Sequence, residues 1–250
     1  MTTESLTRTP TSAPDAPPAA PTTSPRRAAR IAGIAYLLIF GLAIAANFGV
    51  RGGLVVNGDA AATAANIAEN LGLFRLGTIA FLAVFMLDVV VAWALHVVFR
   101  GAHHDLSLLA AWSRLTYTVL LGVALVFFVQ VPAMLATPDY AAAVGAEATA
   151  AQVLLAVQSF DAAWLIGLAV FGVHLVLLGA LVLRSGLAPR AVAVLLMVAG
   201  VAYVLDTVAH VALPDYGAVA GVMLAVVAVP SMIGEGWLGL WLLATRRISR

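Results

Sequence analysis

Six apolar stretches, each long enough to cross a lipid bilayer, constrain the fold of this chain more than any other feature. A membrane-spanning helix needs about 20 predominantly apolar residues, and a helix satisfies its own backbone hydrogen bonds where no water is present. The sequence therefore predicts an all-α fold, a polytopic bundle of six transmembrane helices. The predicted spans are Ile31–Val50, Leu76–Phe99, Leu108–Val131, Ala162–Leu183, Ala191–Leu213 and Ala218–Leu243.

The composition supports a membrane protein and excludes several functional classes. Of the 250 residues, 63% are hydrophobic and 10% are charged, whereas soluble domains carry about 45–50% and about 25%. The net charge is +1, and once the arginines are placed no basic face is left to bind nucleic acid. There is no cysteine, so disulfides, thiolate metal sites and cysteine nucleophiles are excluded.

The first 29 residues differ in composition from the rest of the chain. Six of the eleven prolines lie there, among Thr, Ser and Ala, and such a segment buries too little apolar surface to order itself. Residues 1–29 are therefore predicted to be a disordered cytoplasmic tail, 30–245 the transmembrane domain and 246–250 a short basic cytoplasmic C-terminus. The first apolar stretch is too long for a cleaved signal peptide, so we interpret it as an uncleaved span.

The loops contain residues typical of helix ends. Gly186 suits a helix C-terminus, and Pro189 suits the first turn of the next helix. Asp59 is a plausible N-cap for a short external helix that runs to about Asn70. Apolar character before the fourth span allows one long helix over Ala146–Leu183. Two glycine pairs, Gly172 with Gly179 and Gly217 with Gly221, predict close helix packing and, secondarily, an oligomer contact.

The arginines predict the orientation, because basic residues are enriched on the cytoplasmic side of a membrane. With the N-terminus inside, ten of the 13 arginines fall inside and only Arg51 and Arg75 fall outside, while Arg114 lies within a span. We therefore expect both termini of this multi-pass protein to lie on the cytoplasmic side of a bacterial inner membrane.

Four ionisable residues are predicted to lie in the inner half of the bundle. A charged residue at membrane depth costs at least ~2.5–3.5 kcal/mol, so each requires a partner or a role. At about 1.5 Å per residue, the four could meet as one polar cluster. Three interpretations remain open: a charge pair that orients the helices, a site for a substrate or proton, and an arginine that snorkels to the inner interface. The four residues are Asp88, Arg114, His174 and Glu235.

A second polar group is predicted in the outer half. Asp206 and His210 are spaced i,i+4 and so share one helix face. They form either a local hydrogen bond or a protonatable pair in an outward-facing vestibule. His96, His103 and His104 do not predict a metal site, because zinc normally takes four ligands and only Asp105 is added locally. No cofactor is predicted.

Several segments of the sequence resemble one known family. They read GDAAATAANI (58–67), LFRLG (73–77), FMLDVVVA (85–92), FGVHLVLLG (171–179), RSGLAPR (184–190) and IGEGWLGLWLL (233–243). In this order they are similar to the bacterial membrane family called domain of unknown function 4386, over roughly residues 28–245. The resemblance implies a six-helix bacterial membrane protein, and it implies no activity.

Two functional hypotheses follow. In the first, the polar interior of a non-enzymatic bundle binds or passes a small solute or a proton. In the second, the protein is a structural or sensory membrane partner without transport activity, and its internal charges only specify packing. A membrane-embedded enzyme ranks third, because no HExxH, GxSxG or phosphate-loop motif is present. A wet path through Asp88, Arg114 and Glu235 would favour the first hypothesis, and a dry paired cluster the second.

Overall fold

The computed structural model describes residues 23–245 and 248, apart from the side chain of Pro138, and each described element is helical. The prediction of an all-α, six-span architecture is confirmed. We number as spans 1 to 6 the helices long and apolar enough to cross a membrane: Pro25–Leu54, Leu71–Phe99, His104–Ala136, Ala146–Ser185, Arg190–Ala212 and Ala220–Ala244. Shorter segments are the loop-1 helix (Ala60–Glu69), the loop-3 helix (Pro138–Val144) and a 3-10 turn (Tyr216–Ala218).

The helix ends follow the predicted chemistry. Asp59 caps the loop-1 helix by accepting a hydrogen bond from the Ala62 amide at 2.8 Å, which satisfies one of the free amides of the first turn. Gly186 ends span 4 with a φ of +61°, a left-handed conformation that suits glycine. Pro189 is the N-cap of span 5, one residue before the predicted first turn.

The six spans form a closed ring. Each span packs against the next one in the sequence, and span 6 packs back against span 1. The two ends of the bundle differ, because the start of span 1 and the last residues of span 6 lie at the same end. We call this end the terminal face and the other end the opposite face. Side chains that point into the ring can therefore reach several spans at once.

One boundary differs from the prediction, and the long-helix alternative for span 4 is confirmed. Span 1 begins at Pro25, so residues 25–29 are helical rather than part of the tail, because Ser24 caps the helix and Pro25 fits its first turn. The predicted disorder of 1–22 lies outside the described residues, as does the predicted C-terminus except Ile248. Span 4 is one helix of 40 residues, about 60 Å long at 1.5 Å per residue, so its part nearest the opposite face extends beyond a ~30 Å hydrocarbon core.

The loop-1 helix packs against this extended part of span 4. It buries Thr63 and Ile67 completely, and the Thr63 hydroxyl donates to the Val56 carbonyl at 3.1 Å. The helix is therefore part of a small folded cap on the opposite face of the ring.

The first glycine pair forms the predicted close contact between spans 4 and 5. A Cβ atom at Gly172 would meet the carbonyl oxygen of Gly200, and one at Gly179 would lie 2.7 Å from the carbonyl oxygen of Ala193. These glycines let the two backbones approach each other. The second pair makes no such contact in the described structure, because a Cβ at Gly221 would have no atom within 4 Å and one at Gly217 would meet only Asp215.

Candidate functional site

Arg114 lies at the centre of the ring and is 1% exposed. Its Nε atom donates a hydrogen bond to Asp88 Oδ1 on span 2 at 2.9 Å, and Nη2 forms an ion pair with the same oxygen. Its Nη1 atom donates to the Tyr36 hydroxyl on span 1 at 2.9 Å and to His174 Nε2 on span 4 at 3.3 Å. One guanidinium on span 3 thus joins three other spans, which excludes the snorkelling interpretation.

The orientation of the His174 ring follows from its two hydrogen bonds. Its Nδ1 atom lies 2.8 Å from the carbonyl oxygen of Ala110, and a carbonyl oxygen only accepts hydrogen bonds. Nδ1 therefore carries the proton and donates, which leaves Nε2 free to accept from Arg114. This assignment of the tautomer rests on the hydrogen-bond network, and it fixes the imidazole as a neutral spacer between spans 3 and 4.

Asp88 pairs with Arg114 through one oxygen only. The carboxylate is 1% exposed, and its second oxygen, Oδ2, has no hydrogen-bond partner in the described part of the chain. A buried polar atom without a partner is costly. The ion pair is therefore strong at Oδ1 and incomplete at Oδ2.

Two aromatic rings complete the surroundings of Arg114. The guanidinium carbon lies 4.9 Å from the centre of the Tyr36 ring and 5.3 Å from that of Phe171, distances at which a cation is attracted to a ring face. Tyr36 was not predicted as a site residue. Its depth could have indicated it, since it lies 11 residues from the start of span 1, and the four predicted residues lie nine to eleven residues from their own terminal-face helix ends.

Glu235 is the predicted cluster member that stands apart. It reaches the same depth on span 6, where it interacts electrostatically with Arg114 and Asp88. It is half-buried, and in residues 23–245 it makes no hydrogen bond or ion pair. The structure thus joins Asp88, Arg114 and His174 into one bonded cluster with Tyr36, and it places Glu235 beside this cluster.

Asp206 and His210 meet as the i,i+4 spacing predicted, and a third residue joins them. His210 Nδ1 lies 3.3 Å from the Asp206 carbonyl oxygen and 3.8 Å from its carboxylate. Tyr216, in the 3-10 turn between spans 5 and 6, donates a hydrogen bond to Asp206 Oδ1 at 2.7 Å and stacks on the His210 ring. Burial and this hydrogen bond raise the pKa of Tyr216 to about 12. We call these three residues the outer triad.

A second arginine–aspartate pair lies near the opposite face and was not predicted. Arg51 Nη2 is 2.6 Å from Asp161 Oδ1 on span 4, and Arg51 Nη1 donates to Asn47 Oδ1 at 2.5 Å. Both Arg51 and Asn47 lie in the π-helical stretch Ala45–Arg51 of span 1. In the sequence, Arg51 and Asp161 each lie near the end of an apolar stretch, as interfacial residues do. Only the packing of spans 1 and 4 reveals that they pair.

The histidines at the terminal face contribute to helix ends. His103 Nδ1 accepts a hydrogen bond from the Leu106 amide at 3.2 Å and so caps span 3. The His96 and His104 rings lie 5.5 Å apart, and His96 Nδ1 is 3.1 Å from the Ser107 hydroxyl. These contacts close the turn between spans 2 and 3.

A closed ring of six apolar helices around a buried arginine defines a polytopic helical membrane protein. Residues 31–245 match the family model described as Domain of unknown function (DUF4386), and the chain belongs to this family. This confirms the resemblance drawn from the sequence. No curated protein and no solved structure matches the chain.

Proposed function

We propose that the protein is a structural or sensory component of the membrane that does not conduct solutes, and that the Arg114 cluster holds its helices together. The single observation that carries this proposal is the near-complete burial of the cluster. Arg114, Asp88 and His174 are each 1% exposed, and a conduction path needs water or an exchangeable ligand at this point. The protein is proposed to have no catalytic activity of its own.

The packing of aromatic side chains inside the bundle also supports the proposal. Between Arg114 and the opposite face, four fully buried phenylalanines pack against one another, with Phe128 stacked on Phe160 at 3.7 Å between ring centres. Aromatic rings in such contact exclude water. The interior of the helix bundle is thus filled by the ion pair and hydrogen bonds of Arg114 at one depth and by aromatic side chains at another. The four are Phe74, Phe81, Phe128 and Phe160.

The proposed setting is a bacterial inner membrane with the terminal face in the cytoplasm. The described arginines of that face, among them Arg26, Arg30, Arg100 and Arg190, support this orientation because basic residues favour the cytoplasmic side. The surrounding lipid is the immediate partner. A protein partner within the membrane, or a second copy of the chain, would complete a sensory or structural role.

Passage of a proton or a small solute is the second candidate function. One observation favours it: Glu235 is half-buried and unpaired beside the cluster. A carboxyl group in such a position is typical of membrane proteins that move protons or cations.

Proton flux in vesicles separates the two candidates. The full chain is reconstituted in liposomes that contain a pH-sensitive dye, and a pH gradient is imposed with and without a potassium potential clamped by valinomycin. We expect the gradient to decay at the rate seen in protein-free liposomes. Faster decay that depends on the protein and is reduced in Glu235→Gln would overturn the non-conducting proposal and support the second candidate.

A further inference from the structure

We infer that Glu235 is a proton-binding site on the interior side of span 6, beside spans 1 and 5, and that its proton alters the contact between spans 6 and 1. The inference rests on the proposed function, since it supplies the input that a sensory membrane protein would require. The ligand is a proton, and the responding element is span 6.

The position of Glu235 around its helix shows which way it faces. At about 100° per residue, Glu235 falls between the buried positions Gly239 and Leu242 and away from exposed Ile233 and Leu240. Glu235 therefore lies on the interior side of span 6 rather than on the lipid side. It reaches the depth of the Arg114 cluster, with which it interacts electrostatically.

The charges at this depth are unbalanced. Arg114 is the one cation among the described cluster residues, and it gives Nε and Nη2 to Asp88. Glu235 is thus a second carboxyl with no cation bonded to it. An uncompensated charge at membrane depth is costly, and taking up a proton removes that cost.

Tyr36 supplies a neighbour whose hydrogen-bonding capacity fits this role. Its hydroxyl oxygen accepts from Arg114, but within the described structure its own hydrogen has no acceptor. A carboxylate can only accept hydrogen bonds, and a protonated carboxyl can also donate. Loss of the proton from Glu235 therefore makes both of its oxygens charged acceptors, which strengthens a hydrogen bond from the Tyr36 hydroxyl on span 1.

The seam between spans 1 and 6 is tight enough to transmit a change in this contact. A Cβ atom at Gly33 would lie 2.9 Å from the carbonyl oxygen of Gly239, one helical turn from Glu235. A change in the contact between Glu235 and Tyr36 therefore acts across two closely packed helices. Groups that face Glu235 from other spans are Tyr36 on span 1, Asp88 on span 2, Arg114 on span 3 and Tyr203 on span 5.

Infrared difference spectroscopy of the purified full chain tests the site directly. A protonated carboxylic acid has a carbonyl-stretch band that a carboxylate lacks. Spectra recorded between mildly acidic and mildly alkaline pH should show one such band that disappears as the pH rises, and Glu235→Gln should abolish it. Tyr36→Phe should shift its midpoint to higher pH, because the carboxylate loses a donor.

Matched variants separate Glu235 from the other carboxyls. Asp88→Asn should retain the band, with its midpoint at lower pH because a neighbouring negative charge is removed. Glu235→Asp should retain a band with a shifted midpoint, which covers the case in which Glu235→Gln does not fold. A wild-type spectrum without a titrating band, or a band abolished by Asp88→Asn but not by Glu235→Gln, would overturn the inference. Neither result depends on the flux measurement, so a conducting protein with a titrating Glu235 would reject the proposed function alone.

Discussion

Arg114 donates from both Nε and Nη2 to the same oxygen of Asp88, Oδ1, and leaves Oδ2 of that carboxylate without a partner. An arginine–carboxylate pair more often uses both oxygens, one for each donor. Here the guanidinium is turned so that Nη1 can reach Tyr36 and His174. The geometry of the ion pair is thus a compromise among four spans, which is the arrangement expected of a residue that positions helices.

The first prediction concerns the cation itself. We expect Arg114→Ala to destabilise the protein more than Asp88→Asn, because it leaves a buried carboxylate, a hydroxyl and an imidazole without their shared donor. Loss of one partner of a buried pair costs about 3–5 kcal/mol in soluble proteins. Melting temperature in detergent and abundance in the membrane measure the effect.

Two further variants make this prediction specific. Arg114→Lys keeps the charge but loses the planar fork that serves several acceptors, so we expect it to rescue only part of the loss. Arg100→Ala, at an exposed position beyond span 2, is the control and should change the melting temperature little. A silent Arg114→Ala would show that the cluster does not hold the spans together.

The second prediction tests the contact between spans 4 and 5. We expect Gly172→Ala to destabilise the bundle, because the added methyl group would meet the Gly200 carbonyl oxygen and lie 3.1 Å from Tyr203 Cβ. Overpacking of this kind costs roughly 1–3 kcal/mol. Gly41→Ala is the matched control, since no atom lies within 4 Å of its added methyl group. It should be neutral or stabilising, because alanine favours the helix, and equal effects would contradict the close contact.

Most of the fold could be predicted from the sequence, because one physical requirement dominates it. Backbone groups in lipid must be paired within the same helix, so the length and position of each apolar stretch define a span. The exception was the start of span 1, which a capping contact at Ser24 extends to Pro25. The sequence allowed span 4 to continue to Ala146 as one long helix, and there burial against the loop-1 helix replaces lipid.

The site could be predicted only in part. Depth counted from the span ends placed Asp88, Arg114 and His174 together, because helical rise converts sequence position into distance. Depth cannot give the rotation of a helix about its own axis, and this rotation decides which side chains bond. For that reason Glu235 was expected to pair and the Arg51–Asp161 contact was not foreseen. Tyr36 was overlooked although its depth matches that of the cluster.

The third prediction concerns topology. With the terminal face in the cytoplasm, reporters fused after Arg100 or Arg190 should behave as cytoplasmic. An alkaline phosphatase fused at Ala143, in the loop-3 helix, should be exported and active. Six spans return the chain to its starting side, so the two sets of fusions must give opposite results. An inactive fusion at Ala143 would show that the proposed orientation is wrong.

The last prediction concerns the outer triad at alkaline pH. Burial raises the pKa of Tyr216 from 10.0 to about 12, and the hydrogen bond to Asp206 acts in the same direction. Because the pKa of Tyr216 is raised in the folded state, the contribution of neutral Tyr216 to the stability of the fold is fully present below about pH 10, the ordinary pKa of tyrosine. This contribution is lost as the pH rises toward about 12. The ultraviolet absorbance of tyrosinate measures this ionisation, and the difference between wild type and Tyr216→Phe isolates Tyr216 from the other tyrosines.

Asp206→Asn tests whether the Asp206 carboxylate contributes to the raised pKa of Tyr216. Removing its charge while keeping the side-chain shape should move the Tyr216 transition to lower pH, because the amide does not repel the tyrosinate that forms. Asp139→Asn, an exposed acid in the loop-3 helix, is the control and should leave the transition unchanged. Circular dichroism over the same range shows whether the helices remain folded. If Asp206→Asn and wild type titrate alike, the Tyr216–Asp206 hydrogen bond does not form in the membrane protein, and the outer triad reduces to the predicted pair of Asp206 and His210.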